Sequence, residues 1–221
     1  MPNLGLMQSM HNKTKRDYVA RVVEFDKAEC AVVAKKFGAD YWDGERQYGY
    51  GGYKYDGRWL PLAENLASHF NLKPGQKILD VGCGKGFLLH EFTQAVPGIE
   101  VTGLDISQYA IDNAKPEIKC SLFQGSAEKL PFEDNEFDAV VSLGALHNLE
   151  IDRVFCAIRE IMRVCKTDCS YIMVESWRNQ REKANLLYWQ LTCESFLSVE
   201  TWEWVYSECG YKGDWDFIFF E

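Results

Sequence analysis

Along the middle of the chain, short apolar runs alternate with longer stretches in which apolar residues return every three or four positions. The first pattern predicts buried strands and the second amphipathic helices. Residues 77–81 (Lys-Ile-Leu-Asp-Val) form one apolar run, closed by glycines and followed by a helical stretch over 87–95. Residues 101–104 make a second strand that ends at Asp105. Ser107 is placed to cap the next helix, which must stop by Pro116 because proline cannot continue it. Further strands fall near 119–123, 137–143 and 171–175. Between the last two, Val154, Phe155, Ile158, Ile161 and Met162 share one side of a helix over 151–164. Helices follow over 180–191 and 199–209, then a terminal strand over 217–220. Alternation at this pitch predicts an α/β fold, a mostly parallel sheet with helices on both faces.

Residues 1–60 have another character. A charged stretch over 17–36 predicts a helix, and residues 48–59 are crowded with glycine and tyrosine. A segment that only packed would have little use for the backbone freedom of Gly49, Gly51, Gly52 and Gly57. Glycine hinges around aromatic side chains predict a lid. The chain therefore divides into an N-terminal helical and loop extension, 1–60, and a domain over 61–221. With 24 Lys and Arg against 33 Asp and Glu, the net charge is −9, which disfavours a nucleic-acid partner. No apolar run approaches the roughly 18 residues of a membrane-spanning helix. Lys13, Lys15 and Arg16 follow the weakly apolar start of the chain, the reverse of a secretory signal. A cytoplasmic protein is expected, its eight cysteines free thiols rather than disulfides. Without C-x-x-C or H-x-x-x-H, no metal is expected.

The candidate chemistry begins at Gly82-Cys83-Gly84-Lys85-Gly86, at the end of the first strand. A dinucleotide fingerprint spaces its glycines G-x-G-x-x-G and seats a pyrophosphate. Here the spacing is G-x-G-x-G, and Asp80 stands two residues ahead, where a carboxylate suits a positively charged ligand. Asp105 closes the second strand and can accept hydrogen bonds from both hydroxyls of a ribose. With these residues the chain resembles the class I S-adenosylmethionine-dependent methyltransferases. The matching stretches are 78–86, 103–107 (Gly-Leu-Asp-Ile-Ser), 124–132 (Gln-Gly-Ser-Ala-Glu-Lys-Leu-Pro-Phe) and 137–142 (Phe-Asp-Ala-Val-Val-Ser), in the family's order and spacing. The resemblance implies a Rossmann-like sheet and S-adenosyl-L-methionine as cofactor. It places Gly82, Gly84 and Gly86, with Cys83 among them, along the methionine moiety and Asp80 near its amino group. It also implies Asp105 on the ribose and Ile106 against the adenine. Ser126, Ala127 and Glu128 would line the adenine edge, with Leu143 beside the cofactor. The family commonly ends in an antiparallel hairpin, and the sequence leaves open whether residues 214–220 supply one strand or two.

An activated methyl donor leaves the protein to align an acceptor, exclude water and, for a hydroxyl or ammonium acceptor, take a proton. His147, after the fourth strand, is the candidate base and acceptor contact. Tyr50, Tyr53, Arg58 and Trp59 of the extension are the other candidate substrate residues, with Arg58 expected to pair with an anionic group of the acceptor or with the cofactor carboxylate. The expected function is methyl transfer to a small molecule, with oxygen, as hydroxyl or carboxylate, preferred over nitrogen. The loop also resembles methyltransferases of cell-surface polysaccharide clusters, which makes a sugar-linked acceptor one candidate. The alternative is a catalytically silent S-adenosylmethionine-binding partner subunit. Neither nucleic acid nor membrane is expected as a partner, and association into a homodimer is left open.

Overall fold

The computed structural model describes residues 4–6 and 16–221, so Lys13 and Lys15 lie outside the described residues. Six strands, β1 (Lys77–Val81), β2 (Glu100–Asp105), β3 (Leu122–Gln124), β4 (Ala139–Leu143), β5 (Ser170–Glu175) and β6 (Asp214–Ile218), form one sheet in the order β3-β2-β1-β4-β5-β6. Every pairing is parallel. Asp80 of β1 stands between Gly103 of β2 and Val141 of β4, at the point where the strand order reverses.

Period-two alternation sorts the strand side chains onto two cores. Ile78, Val141, Tyr171 and Met173 face one side, where they pack with Leu62 and Leu66 of α4 (Leu60–His69) and Leu89 and Phe92 of α5 (Phe87–Ala95). Leu79, Val140, Ile172 and Val174 face the other, against Val154, Ile158 and Ile161 of α7 (Ile151–Val164) and Trp202 and Val205 of α9 (Val199–Cys209). Between these elements lie α6 (Gln108–Asp112), capped by Ser107, and α8 (Gln180–Trp189), capped by Asn179.

The predicted helix over 17–36 is two helices, α1 (Tyr18–Glu24) and α2 (Lys27–Ala34). Asp26 causes the break: its carboxylate accepts from the amides of Ala28 and Glu29, which starts a second helix. A further turn, α3 (Ala39–Trp42), had no signal in the sequence. Strand β3 begins at Leu122 because Lys119–Ser121 forms a 3-10 turn, and Phe137 makes only an isolated bridge to Cys165 before β4. The terminal strand is single and parallel to β5, displaced from 217–220 to Asp214–Ile218. Gly213 lets it approach, since a Cβ there would lie 2.2 Å from the Ser170 hydroxyl oxygen. No helix among the described residues is long and apolar enough to cross a membrane.

Candidate active site

The carboxyl ends of β1, β2, β4 and β5 stand side by side at the switch point, where sheets of this kind take a ligand in a crevice, and the loop after β1 turns back beneath that place. The amides of Gly82 and Cys83 both donate to the Leu104 carbonyl, at 2.7 and 3.1 Å. Gly84 has φ +55°, and a Cβ on it would lie 2.8 Å from the Trp42 ring. The loop thus needs glycine both for its backbone and for what sits on it. The Cys83 side chain points into the core with Leu89, so only its backbone borders the crevice.

Two carboxyls line this floor. Asp105 accepts from the amides of Gly84 at 2.7 Å and Ser107 at 2.8 Å, one on each oxygen, which leaves a further lone pair on each. Asp80 is 3% exposed, and its Oδ1 is buried with no hydrogen-bond partner. Burial, and then the nearby charge of Asp105, pushes its carboxyl up to about 8. Beside them Ile106 holds an apolar side chain 55% exposed. Ser126 and Ala127 are half-buried at the same end of the sheet, whereas Glu128 turns to Arg153 at 3.6 Å. Leu143 ends β4 and packs on the core that holds Met173.

The N-terminal segment covers this floor. Trp42 packs on Gly84 and donates from its indole to the Ser107 hydroxyl at 2.9 Å. Lys85, itself buried, reaches up to Asp43 at 2.7 Å and to the Tyr53 carbonyl at 2.9 Å. Tyr50 stacks on Trp42 at 5.3 Å, and Tyr53 stacks on Phe87 at 5.0 Å. The Tyr53 hydroxyl bonds Trp59 and lies within electrostatic reach of Asp80. Tyr50 is 44% exposed, with its ring packed against Tyr41, Trp42 and Tyr53. Burial and then Glu175 push its hydroxyl up to about 12. Trp59 packs instead on the core. Arg58 stands on the surface, its guanidinium paired with Asp56 at 2.5 Å and its charge within reach of Tyr53.

His147 is 2% exposed, and burial pushes its imidazole down to about 3. Its Nδ1 accepts from the Glu175 amide at 3.3 Å, which leaves the proton on Nε2, 3.4 Å from the Glu175 carboxyl. Both ring nitrogens face Glu175, so in this arrangement the ring positions that carboxyl. Sequence reasoning missed Glu175. Its signal was there: like Asp80 and Asp105, it is a carboxylate within or closing an apolar strand of the parallel sheet. Burial pushes Glu175 up to about 8, and its Oε2 is buried without a partner. Among the described residues no group of three His, Cys, Asp or Glu side chains could hold a metal.

A parallel doubly wound sheet with a glycine-floored crevice at its switch point defines a nucleotide-type cofactor fold. Residues 78–169 match the Methyltransferase domain family. A sterol 24-C-methyltransferase of Gibberella zeae is 38% identical over 106 residues, 44% of this chain and 28% of that protein. An uncharacterized methyltransferase of Synechocystis is 37% identical over 131 residues, 59% of this chain and 57% of that protein. The chain thus spans between 28% and 57% of the length of these curated relatives. The YcgJ protein of Bacillus subtilis shares the fold, with a TM-score of 0.57 at 24% identity over 70% of this chain and 68% of that one. Residues 78–169 thus carry a methyltransferase domain, and the fold and the relatives support the class I S-adenosylmethionine-dependent family, whose cofactor is S-adenosylmethionine. The residues present fit that molecule: the unpartnered oxygen of Asp80 and the spare lone pairs of Asp105 ask for donors and positive charge, not for a phosphate.

Proposed function

We propose that the protein methylates a small molecule held between Tyr50, Tyr53 and Glu175, under the cover of the N-terminal segment. The buried carboxyl of Glu175, whose Oε2 has no hydrogen bond and whose charge reaches the Tyr50 hydroxyl, carries this reading. Bound S-adenosylmethionine supplies a methyl group already activated on a sulfonium. The chain does the rest. Asp80 would hold the amino group of the methionine moiety along Gly82, Cys83, Gly84 and Gly86. Asp105 would hold the ribose and Ile106 the adenine, with Ser126 and Ala127 at its edge, Glu128 joining them only by leaving Arg153, and Leu143 would border the cofactor. Glu175, steadied by His147, would accept the proton of an acceptor hydroxyl as O–CH₃ forms and the methyl–sulfur bond breaks, with S-adenosylhomocysteine as the leaving group. Glu175 can take a proton from a hydroxyl or from an ammonium, and the oxygen acceptor is the reading put to the test. The division at residue 60 separates this cover from the domain that binds the cofactor.

The test is incubation with labelled S-adenosylmethionine and a metabolite extract, with identification of the labelled product. An O-methylated small molecule is the expected result. Tight cofactor binding with no labelled product from any extract would instead favour a silent partner subunit.

A further inference from the structure

Helix α8 ends in Trp189, and three guanidiniums gather on its ring: Arg16 at 5.3 Å, Arg21 at 4.6 Å and Arg46 at 5.0 Å from the centroid. Lys27 adds a fourth cation, its ammonium donating to the Leu187 carbonyl. The polar partners of Arg21 and Arg46 are backbone carbonyls: Arg21 donates to Arg46 at 3.2 Å and Gln47 at 3.4 Å, and Arg46 donates to Gly49. Among the described residues neither has a carboxylate partner, and the Arg21 Nε is buried with no partner at all. Burial pushes all three guanidiniums down, and Arg46 adds repulsion to both Arg16 and Arg21. Lys27 is likewise lowered by burial and then by Arg21.

In a chain of net charge −9, this concentration of positive charge is costly. Arg16 feels the charge of Glu175 and bonds Tyr18, but around Arg21 and Arg46 carbonyl dipoles and the face of one indole attract the cations without cancelling them. Docking α1 onto α8 would need one such contact, not three that repel one another. An anion of two or more charges would satisfy them. The cluster also borders the acceptor side of the crevice: the charge of Arg46 is felt by Tyr50, which itself feels Glu175 and Asp105, and the charge of Arg16 is felt by Glu175.

We infer that Arg21 and Arg46, with Arg16 and Lys27 around them, bind a phosphate or diphosphate group carried by the methyl acceptor. A phosphoryl group carries about two negative charges near neutrality and presents oxygens matched to the guanidinium fork. A lone carboxylate would leave the cluster still repelling itself. The inference rests on the methyl-transfer reading for the word acceptor, while the anion site rests on the arginines alone.

The experiment is calorimetric titration of the full chain, saturated with S-adenosylhomocysteine, with inorganic pyrophosphate in metal-free buffer. Saturation keeps the probe out of the cofactor crevice. Saturable pyrophosphate binding is expected, weakened by about tenfold or more in the Arg21→Gln/Arg46→Gln double variant, since a charge-assisted contact is lost at each position. S-adenosylhomocysteine affinity in that variant should stay unchanged, which also shows that it has folded. Should the pair fail to fold, Arg46→Gln alone, an exposed side chain, carries the same expectation. No pyrophosphate heat in the parent chain, or equal affinity in a folded variant, overturns the site. Absent binding of S-adenosylhomocysteine would instead overturn the methyl-transfer reading, and with it the acceptor as the carrier of the phosphate.

Discussion

Asp80 and Glu175 are both carboxyls that burial holds at about 8, and they answer to different ligands. Near pH 7 Asp80 is mostly protonated, so an ammonium group arriving beside it must drive the proton off. S-adenosylhomocysteine binding should therefore release a proton, read as a dependence of the binding heat on the ionisation enthalpy of the buffer. Asp80→Asn should abolish that dependence and weaken binding. At the acceptor end, Glu175→Gln should slow turnover by about 10²–10⁴-fold while sparing cofactor affinity. In the parent chain the rate should rise with pH through about 8, as Glu175 ionises, and this rise should vanish in the variant. A profile governed by a group near 6.5, the ordinary range of histidine, would return the base role to His147. Asp80 and Asp105 were legible because they sit at fixed offsets from a glycine loop. Glu175 closes its apolar strand in the same way, but no glycine loop stands at a fixed offset from it, and its contact with His147, 28 residues earlier, leaves no mark in the local pattern.

At the scale of elements, the sequence was most readable where burial alone decides. Helix α7 begins and ends where its apolar spacing places it, at Ile151 and Val164. The misreadings came where polar side chains compete with periodicity, as with Asp26 between α1 and α2, or where a distant partner fixes the element. The turn α3 exists to set Trp42, 6% exposed, on a glycine 42 positions further on, and such a contact leaves no mark in the local pattern. Trp42→Ala should remove about 3–5 kcal/mol of packing, the usual cost of deleting a buried aromatic. The loss should appear as faster tryptic cleavage at Arg46 and Lys54, with the sheet domain still folded by circular dichroism. Unchanged cleavage would mean that Lys85 and Asp43 alone hold the segment down.

For the molecule as a whole, the same two carboxyls set how stability varies with pH. Their folded values near 8 lie above the ordinary 3.8 and 4.5, so between those limits the folded chain holds protons that the unfolded chain has shed. Stability of the cofactor-free protein should then fall as pH rises from about 5 to 8, and Asp80→Asn should flatten the trend in thermal melts. The overall architecture was legible because alternating strands and helices leave few ways to bury both faces of a sheet. The single parallel β6 was not, since the sequence allows one strand or two and pairing with β5 decides it. One contact has a consequence in time. Trp42 is seated on Gly84 and Lys85 is tied to Asp43, so on the proposed placement of the cofactor these residues roof its methionine end and a departing S-adenosylhomocysteine must push them aside. Traffic should therefore run in a fixed sequence, cofactor entering before acceptor and spent cofactor leaving last. The dwell time of the by-product, rather than the transfer itself, would then set the pace of each cycle.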